Sequence, residues 1–167
     1  YGGASDDFML IKIGHGIGAG VVLGGRVVRG AHDAAGEVGI VTIGTEHGMD
    51  SPYDPNQTLE SWLSLPALEA RWEGKDAEER AEVLRNGGVR LGIELAPLIS
   101  ALDLPEIIIA APPEVACDEV AAPAMETVKN RVLPGTHEDL VIRPSEHAED
   151  LVFLGCAAQL LSDVHGL

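Results

Sequence analysis

Glycine stands at every second position from residue 14 to residue 20, in the run Gly14-His-Gly-Ile-Gly-Ala-Gly20. Without a Cβ, such a stretch takes open conformations and brings its amides close to a ligand. Successive amides of this kind form a nest for phosphate oxygens. The same residues also suit a tight turn between two strands, where small side chains serve packing. His15 can face a phosphate or face solvent. A dinucleotide fingerprint fails on spacing. G-x-G-x-x-G requires glycine at 19 or 21, where Ala19 and Val21 stand, and an apolar strand follows instead of a helix.

Other chemistries are thinly supported. Cys117 and Cys156 lie in separate segments with no C-x-x-C pair; two cysteines can bridge, but buried free thiols in a reducing compartment are the preferred reading. The 167 residues carry 11 basic and 27 acidic side chains, a formal net charge of −16, and the basic residues are scattered. That balance argues against phosphate-backbone binding by this chain, since such binding needs clustered Lys and Arg. No apolar stretch approaches membrane-spanning length. The first seven residues lack a basic n-region, so the sequence predicts a cytoplasmic protein. Residue 1 is Tyr, and an apolar run follows almost directly, so the chain reads as a piece of something longer.

The elements that would position the glycine run can be read from patterning. Thirteen of the 20 glycines fall in residues 1–48, so the front third is rich in turns and strands and the remainder is mainly helical. Residues 8–13 form a short apolar run bounded by turn signals, a buried strand. Val21-Val-Leu23 and Val27-Val28 flank Gly24-Gly25, a two-residue hairpin signal. Residues 38–43 read as a further strand and residues 44–58 as a loop. Two short helices are expected over 59–72, broken near Pro66. Asp76 and Glu79 form a capping box that opens a helix to about Ser100, with a jog at Gly87-Gly88. Leu91, Leu95, Leu98 and Ile99 share one face of it, as core residues do. Strands are expected at 107–109 and 140–142, helices at 114–131 and 149–164. Trp62 and Trp72 read as helix-face packing or interface residues rather than sugar stackers. The alternation of helix and strand indicates an α/β class and a single domain over residues 1–167.

Three segments together carry a family resemblance: Gly14 to Gly20, then Gly24-Gly-Arg-Val-Val-Arg-Gly30, then Ala34-Ala-Gly-Glu-Val-Gly39. Their order and spacing resemble the signature of the ROK family of sugar kinases, repressors and relatives. The match is sharpest over residues 6–40. Glu60-Ser-Trp-Leu-Ser-Leu-Pro-Ala-Leu68, Arg90-Leu-Gly92 through Ile109, and Gly155-Cys-Ala-Ala158 extend it less sharply. The resemblance implies the actin-like (ribonuclease H-like) sugar-kinase fold, with this chain as most of the C-terminal lobe: a mixed sheet flanked by helices. The family's catalytic aspartate and any helix-turn-helix precede the glycine-rich turn, so the resemblance places both outside this chain.

By the same resemblance, Glu37 and Glu60 would bind sugar hydroxyls. Gly14, His15, Gly16, Gly18 and Gly20 would be the remnant of the phosphate loop. Departures from the family pattern are equally specific. Aligned on Glu60, the family's zinc-ligand positions fall on Ile40, Ser51, Tyr53 and Thr58, a set that cannot hold zinc. The glycine pair that usually follows the Ile-rich strand is replaced by Ala110-Ala-Pro-Pro113, which should hinder a nucleotide. No cofactor is therefore expected. The resemblance implies a sugar-sensing, dimerising lobe of a transcriptional repressor without kinase activity. The alternative is the C-terminal lobe of an ATP-dependent sugar kinase. Expected partners are a sugar effector and a second copy through helices 76–100 and 149–164, with DNA contacted only by a separate domain and no membrane association.

Overall fold

Alternation of side chains sets the first strand. In β1, Phe8–Ile13, Met9, Ile11 and Ile13 are buried while Lys12 is exposed, the period of two that a half-covered strand requires. These features come from a computed structural model that describes residues 5–43, 57–135 and 138–145. β2, Ile17–Leu23, runs antiparallel to β1, with Met9 opposite Val21 and Ile13 opposite Ile17. The hairpin to β3, Arg26–Val27, turns at Gly24 and Gly25 with φ of 56° and 74°. Both values lie in the region a primed two-residue turn needs. Asp6 and Asp7, just ahead of β1, hold that turn. Gly25 N–H donates to the Asp6 carbonyl at 2.9 Å, and Gly24 N–H to Asp7 Oδ1 at 2.6 Å.

Residues 38–43 do not form the expected strand. They turn, with Val38 N–H donating to the Gly36 carbonyl and Val41 N–H to that of Val38, leaving one isolated bridge between Thr42 and Thr58. The cause lies in two glycines pressed flush on β2. A Cβ at Gly36 would overlap the Ala19 carbonyl, and one at Gly39 would overlap that of Ile17.

The helices follow their local signals closely. α1, Glu60–Leu63, and α2, Leu65–Trp72, are separated at Ser64, whose hydroxyl accepts from Ala67 N–H while Pro66 sits in the first turn. α3, Ala77–Leu102, opens on the complete capping box of Asp76 and Glu79. It closes at Asp103 in the left-handed conformation, φ 52°. At 26 residues α3 is continuous, so the expected jog at Gly87-Gly88 does not occur. Those glycines permit close approach instead. A Cβ at Gly87 would lie 2.5 Å from Leu63 Cδ2, and one at Gly88 2.5 Å from the Val120 carbonyl oxygen.

β4, Glu106–Ala110, enters parallel to β1, and β5, Val141–Pro144, parallel to β4. Arg143 Nε and Glu106 Oε1 pair at 2.7 Å across β4 and β5. The sheet order is β3-β2-β1-β4-β5. α4, Asp118–Lys129, packs extensively on α3. It starts four residues later than residue 114, because Val115 and Ala116 N–H both turn back to the Pro112 carbonyl. The core joins Met9, Ile11 and Ile13 of β1 to Leu91, Leu95 and Ile99 of α3, Ile107 and Ile109 of β4, and Val120 of α4. Leu98 packs against it partly buried. The expected helix at 149–164 lies outside the described residues. Among the described residues, no helix is long and apolar enough to cross a membrane.

Candidate functional site

The glycine-rich turn joins β1 to β2 and is fixed from below by the α1–α2 corner. Leu65 N–H donates to the Gly14 carbonyl at 2.8 Å. Ile17 N–H donates to Glu60 Oε2 at 2.9 Å, and Glu60 N–H to the Gly39 carbonyl at 2.8 Å. Glu60 thus ties together the turn, the segment after Glu37 and the start of α1. Its first-turn position also suits a carboxylate.

Alongside, Ala19 N–H donates to the Gly36 carbonyl at 2.8 Å, which lays the Gly36–Glu37 peptide against β2. Gly36 has φ of 103°, a conformation that L side chains rarely adopt. The result is an open cleft of about 590 Å³. Its walls are Leu10 and Lys12 of β1, the turn residues Gly14, His15 and Gly16, and Gly18, Ala19 and Gly20 of β2. Gly36 and Glu37 close one side. Glu37 is exposed there.

The candidate residues are therefore distributed in two ways. Gly14, His15, Gly16, Gly18, Gly20 and Glu37 line one cleft. Glu60 stands outside that lining, with one carboxylate oxygen engaged by Ile17. A charge-assisted bond to a partly buried amide contributes about 1.5–3 kcal/mol. Glu60→Ala is expected to lower stability by about 2 kcal/mol, read as a lower denaturant midpoint at unchanged slope. Glu60→Gln, which keeps a carbonyl acceptor, should recover most of the loss; equal losses in both variants would refute this positioning role.

The zinc positions divide as well. Ile40 is exposed and Thr58 is buried in its bridge to Thr42, while Ser51 and Tyr53 lie outside the described residues. Among the described residues, no group of three or more His, Cys, Asp or Glu side chains gathers to hold a metal ion. At the end of β4, Ala110 and the following Ala111 are buried and Pro113 is exposed, so the alanine methyls serve packing. Cys117 is a partly buried free thiol whose pKa burial pushes up, and Cys156 lies outside the described residues. Burial also pushes the Glu94 carboxyl up, on the core face of α3. Trp72 packs against the core, and the guanidinium carbons of Arg71 and Arg90 lie over the Trp62 ring, 4.9 Å and 4.2 Å from its centroid. Trp72 is thus a packing residue, as its helical position predicts.

Lys12 is the cleft residue that motif reading misses. A signal for it exists, since a lone Lys in Phe8-Met-Leu-Ile-Lys-Ile13 alternates with three buried residues and must face the other way.

A family model described as "ROK family" matches residues 2–163. Two curated relatives are similar over nearly the whole chain. The putative xylose repressor of a Caldicellulosiruptor species is 24% identical over 200 residues, covering 98% of this chain and 49% of that protein. The xylose repressor of Caldicellulosiruptor bescii is 26% identical over 191 residues, covering 97% and 48%. The chain thus spans about half the length of the curated relatives it matches. Among solved structures, a ROK family transcriptional regulator described as a homolog of the E. coli MLC protein superposes with a TM-score of 0.67. It is 25% identical and covers 86% of this chain and 43% of that one. A putative sugar kinase from Cytophaga hutchinsonii gives 0.77 at 19% identity, covering 93% and 58%. A ROK family glucokinase from Streptomyces griseus, in complex with glucose and AMPPNP, gives 0.72 at 17% identity, covering 95% and 62%. The last two establish the fold, which is the actin-like α/β fold of these sugar kinases.

Proposed function

The chain belongs to the ROK family, and on that premise we propose that it is the sugar-sensing, self-associating C-terminal lobe of a transcriptional repressor. It would act as a single domain in the cytoplasm, without kinase activity. The observation that carries this reading is the placement of Glu37 on the cleft beside the glycine-rich turn. A carboxylate there accepts hydrogen bonds from sugar hydroxyls, and the bare turn leaves room for the ring. The repressor half of the reading is supported by both curated relatives, each named as a xylose repressor. Replacement of the family's zinc-ligand positions by Ile40, Ser51, Tyr53 and Thr58 separates this chain from the zinc-bearing kinase pattern. Glu60 lies outside the cleft lining and braces the turn through Ile17 N–H, and its other carboxylate oxygen would serve as a second hydroxyl acceptor. With a net charge of −16, this lobe would leave DNA contact to a separate segment.

D-xylose is the first sugar to test, followed by D-glucose. A ligand at 100 times its Kd stabilises the native state by about 2.7 kcal/mol, so sugar should raise the melting temperature and shift operator binding. Glu37→Ala in the full-length protein is expected to weaken the sugar response at least ten-fold while leaving the sugar-free melting temperature within a degree or two. An unaltered response would remove Glu37 from the site. The kinase alternative is favoured by the intact glycine-rich turn; steady turnover of ATP with either sugar would establish it in place of the repressor reading. Self-association is checked by light scattering, where a monomer at micromolar concentration would contradict it.

A further inference from the structure

Away from the cleft, the corner where α1 and α2 meet α3 gathers two cations without a countercharge. Arg90 and Glu94 are the charged side chains buried among the described residues, and Arg90 is only 5% exposed. Helix packing puts it there. Leu63 of α1 occupies the space left by Gly87, and Arg90, three residues on in α3, lies beside Trp62. Arg71, in the last turn of α2, reaches the same indole from a partly exposed position.

What the corner lacks is an acceptor. A guanidinium over an indole engages its charge with the ring and leaves most of its N–H groups to find acceptors elsewhere. Arg90 Nε and Trp62 Nε1 are both buried with no acceptor among the described residues. Arg71 donates one N–H to the Ala67 carbonyl at 3.1 Å. Among the described residues, neither arginine has an ion-pair partner. Burial pushes the Arg71 guanidinium down, with no carboxylate to offset it. Glu94, one turn beyond Arg90, is not the missing partner: burial raises its carboxyl, and no ion pair joins the two.

A buried charge left unpaired is strongly unfavourable, and buried donors without acceptors are rare. The chain has 27 acidic side chains, yet none pairs with either arginine. The unpartnered polar atoms at this corner are all donors. A metal ion cannot use them. An oxoanion can, since its oxygens accept from two guanidinium edges at once.

We infer that this corner binds a small oxoanion, of the phosphate or carboxylate class, between Arg71 and Arg90 with Trp62 as its platform. The site is separate from the glycine-lined cleft, and it does not depend on the sugar-binding reading of Glu37. Trp62 stands two residues from Glu60, whose carboxylate holds Ile17 N–H, so an anion here would steady α1 behind the brace of the turn.

The test is titration of the full-length protein with sodium phosphate, sulfate and citrate, read by melting temperature and tryptophan fluorescence. Ionic strength is held constant with chloride, so that screening does not change. At least one of the three should raise the melting temperature saturably, as a ligand of the native state must, and shift the fluorescence. Comparison of phosphate and sulfate with citrate identifies the class of anion. Arg90→Met and Arg71→Gln should each weaken the binding ten-fold or more. Arg71→Gln, at the partly exposed rim, keeps the test decisive if Arg90→Met does not fold. Arg71→Lys, which keeps the charge without the fork, should retain part of the affinity. No saturable response to any of the three anions would overturn the inference and leave the arginines as packing around Trp62. Binding that is unaltered in Arg71→Gln would place the anion elsewhere and overturn it equally.

Discussion

Gly36→Ala is expected to cost about 3 kcal/mol or more and to disorganise the segment that presents Glu37. Two penalties coincide at this position. The backbone φ of 103° lies where a side chain is strained by about 1–3 kcal/mol. The added methyl would also land on the Ala19 carbonyl oxygen, on the neighbour whose N–H donates to the Gly36 carbonyl. Backbone cannot swing aside as a flexible side chain can, so relief requires the loop to lift from β2 and the hydrogen bond to break. For a domain of this size the loss corresponds to a fall of roughly 6–12 °C in melting temperature. On the proposed role of Glu37, sugar binding should fall with it, because Glu37 moves with its neighbour. A loss below about 1 kcal/mol would show that the loop is not seated as described. Gly18→Ala provides the internal control: its methyl meets nothing within 4 Å, so stability should hold while ligand affinity drops.

Gly88→Val should be nearly as damaging, for a different reason. Helix propensity alone favours replacing an interior glycine, by about 1 kcal/mol for alanine. Packing opposes it. A Cβ at Gly88 would lie 2.5 Å from the Val120 carbonyl oxygen and 3.1 Å from Val120 Cα, both backbone atoms of α4. Gly92 repeats the contact one turn on, with the Ala124 carbonyl oxygen at 2.6 Å and Thr127 Cβ at 2.5 Å. The two helices touch along glycine, so a branched side chain must push them apart and disturb the core they share, which includes Leu91, Leu95 and Val128. Overpacking and lost core contact together should exceed the propensity gain by about 3 kcal/mol. The denaturant midpoint should fall with the slope unchanged. A stabilised variant would mean that α3 and α4 are not in contact at Gly88.

What the residues disclose by themselves is local. The hairpin at Gly24-Gly25, the capping box at Asp76 and the break near Pro66 each depend on backbone conformations that a few neighbouring residues dictate, and each is present. Sequence reading fails where glycine means proximity. At Gly87-Gly88 the pair reads as a helix defect, and at Gly36 and Gly39 nothing nearby in the chain marks the contact with β2. Glycine needed for a turn and glycine needed for contact with a distant segment look alike in one dimension. The cleft follows the same division. Glu37 and the glycine run are marked by motif, and they converge on one cleft. Lys12 lies six residues from Gly18 along the chain and directly across from it in the sheet, a relation that exists only once register is known. The bond from Ile17 to Glu60 is of the same kind, spanning elements that no local pattern connects.

The parallel pairing of β1 with β4 has a consequence for how the protein is made. Met9 lies opposite Ile107, so the central strand emerges from the ribosome long before its partner is synthesised. Until then the β1 side of the β3-β2-β1 unit is an open edge, which is a template for unwanted strand addition. Pairing over such a separation is slow because loop closure must precede the contacts that reward it. α3 forms on local signals, its capping box and apolar face, and supplies a surface against which Met9, Ile11 and Ile13 can collapse before β4 arrives. The glycine-rich turn thus needs only the β1–β2 pairing to close, whereas the sheet behind it requires β4 to dock on β1.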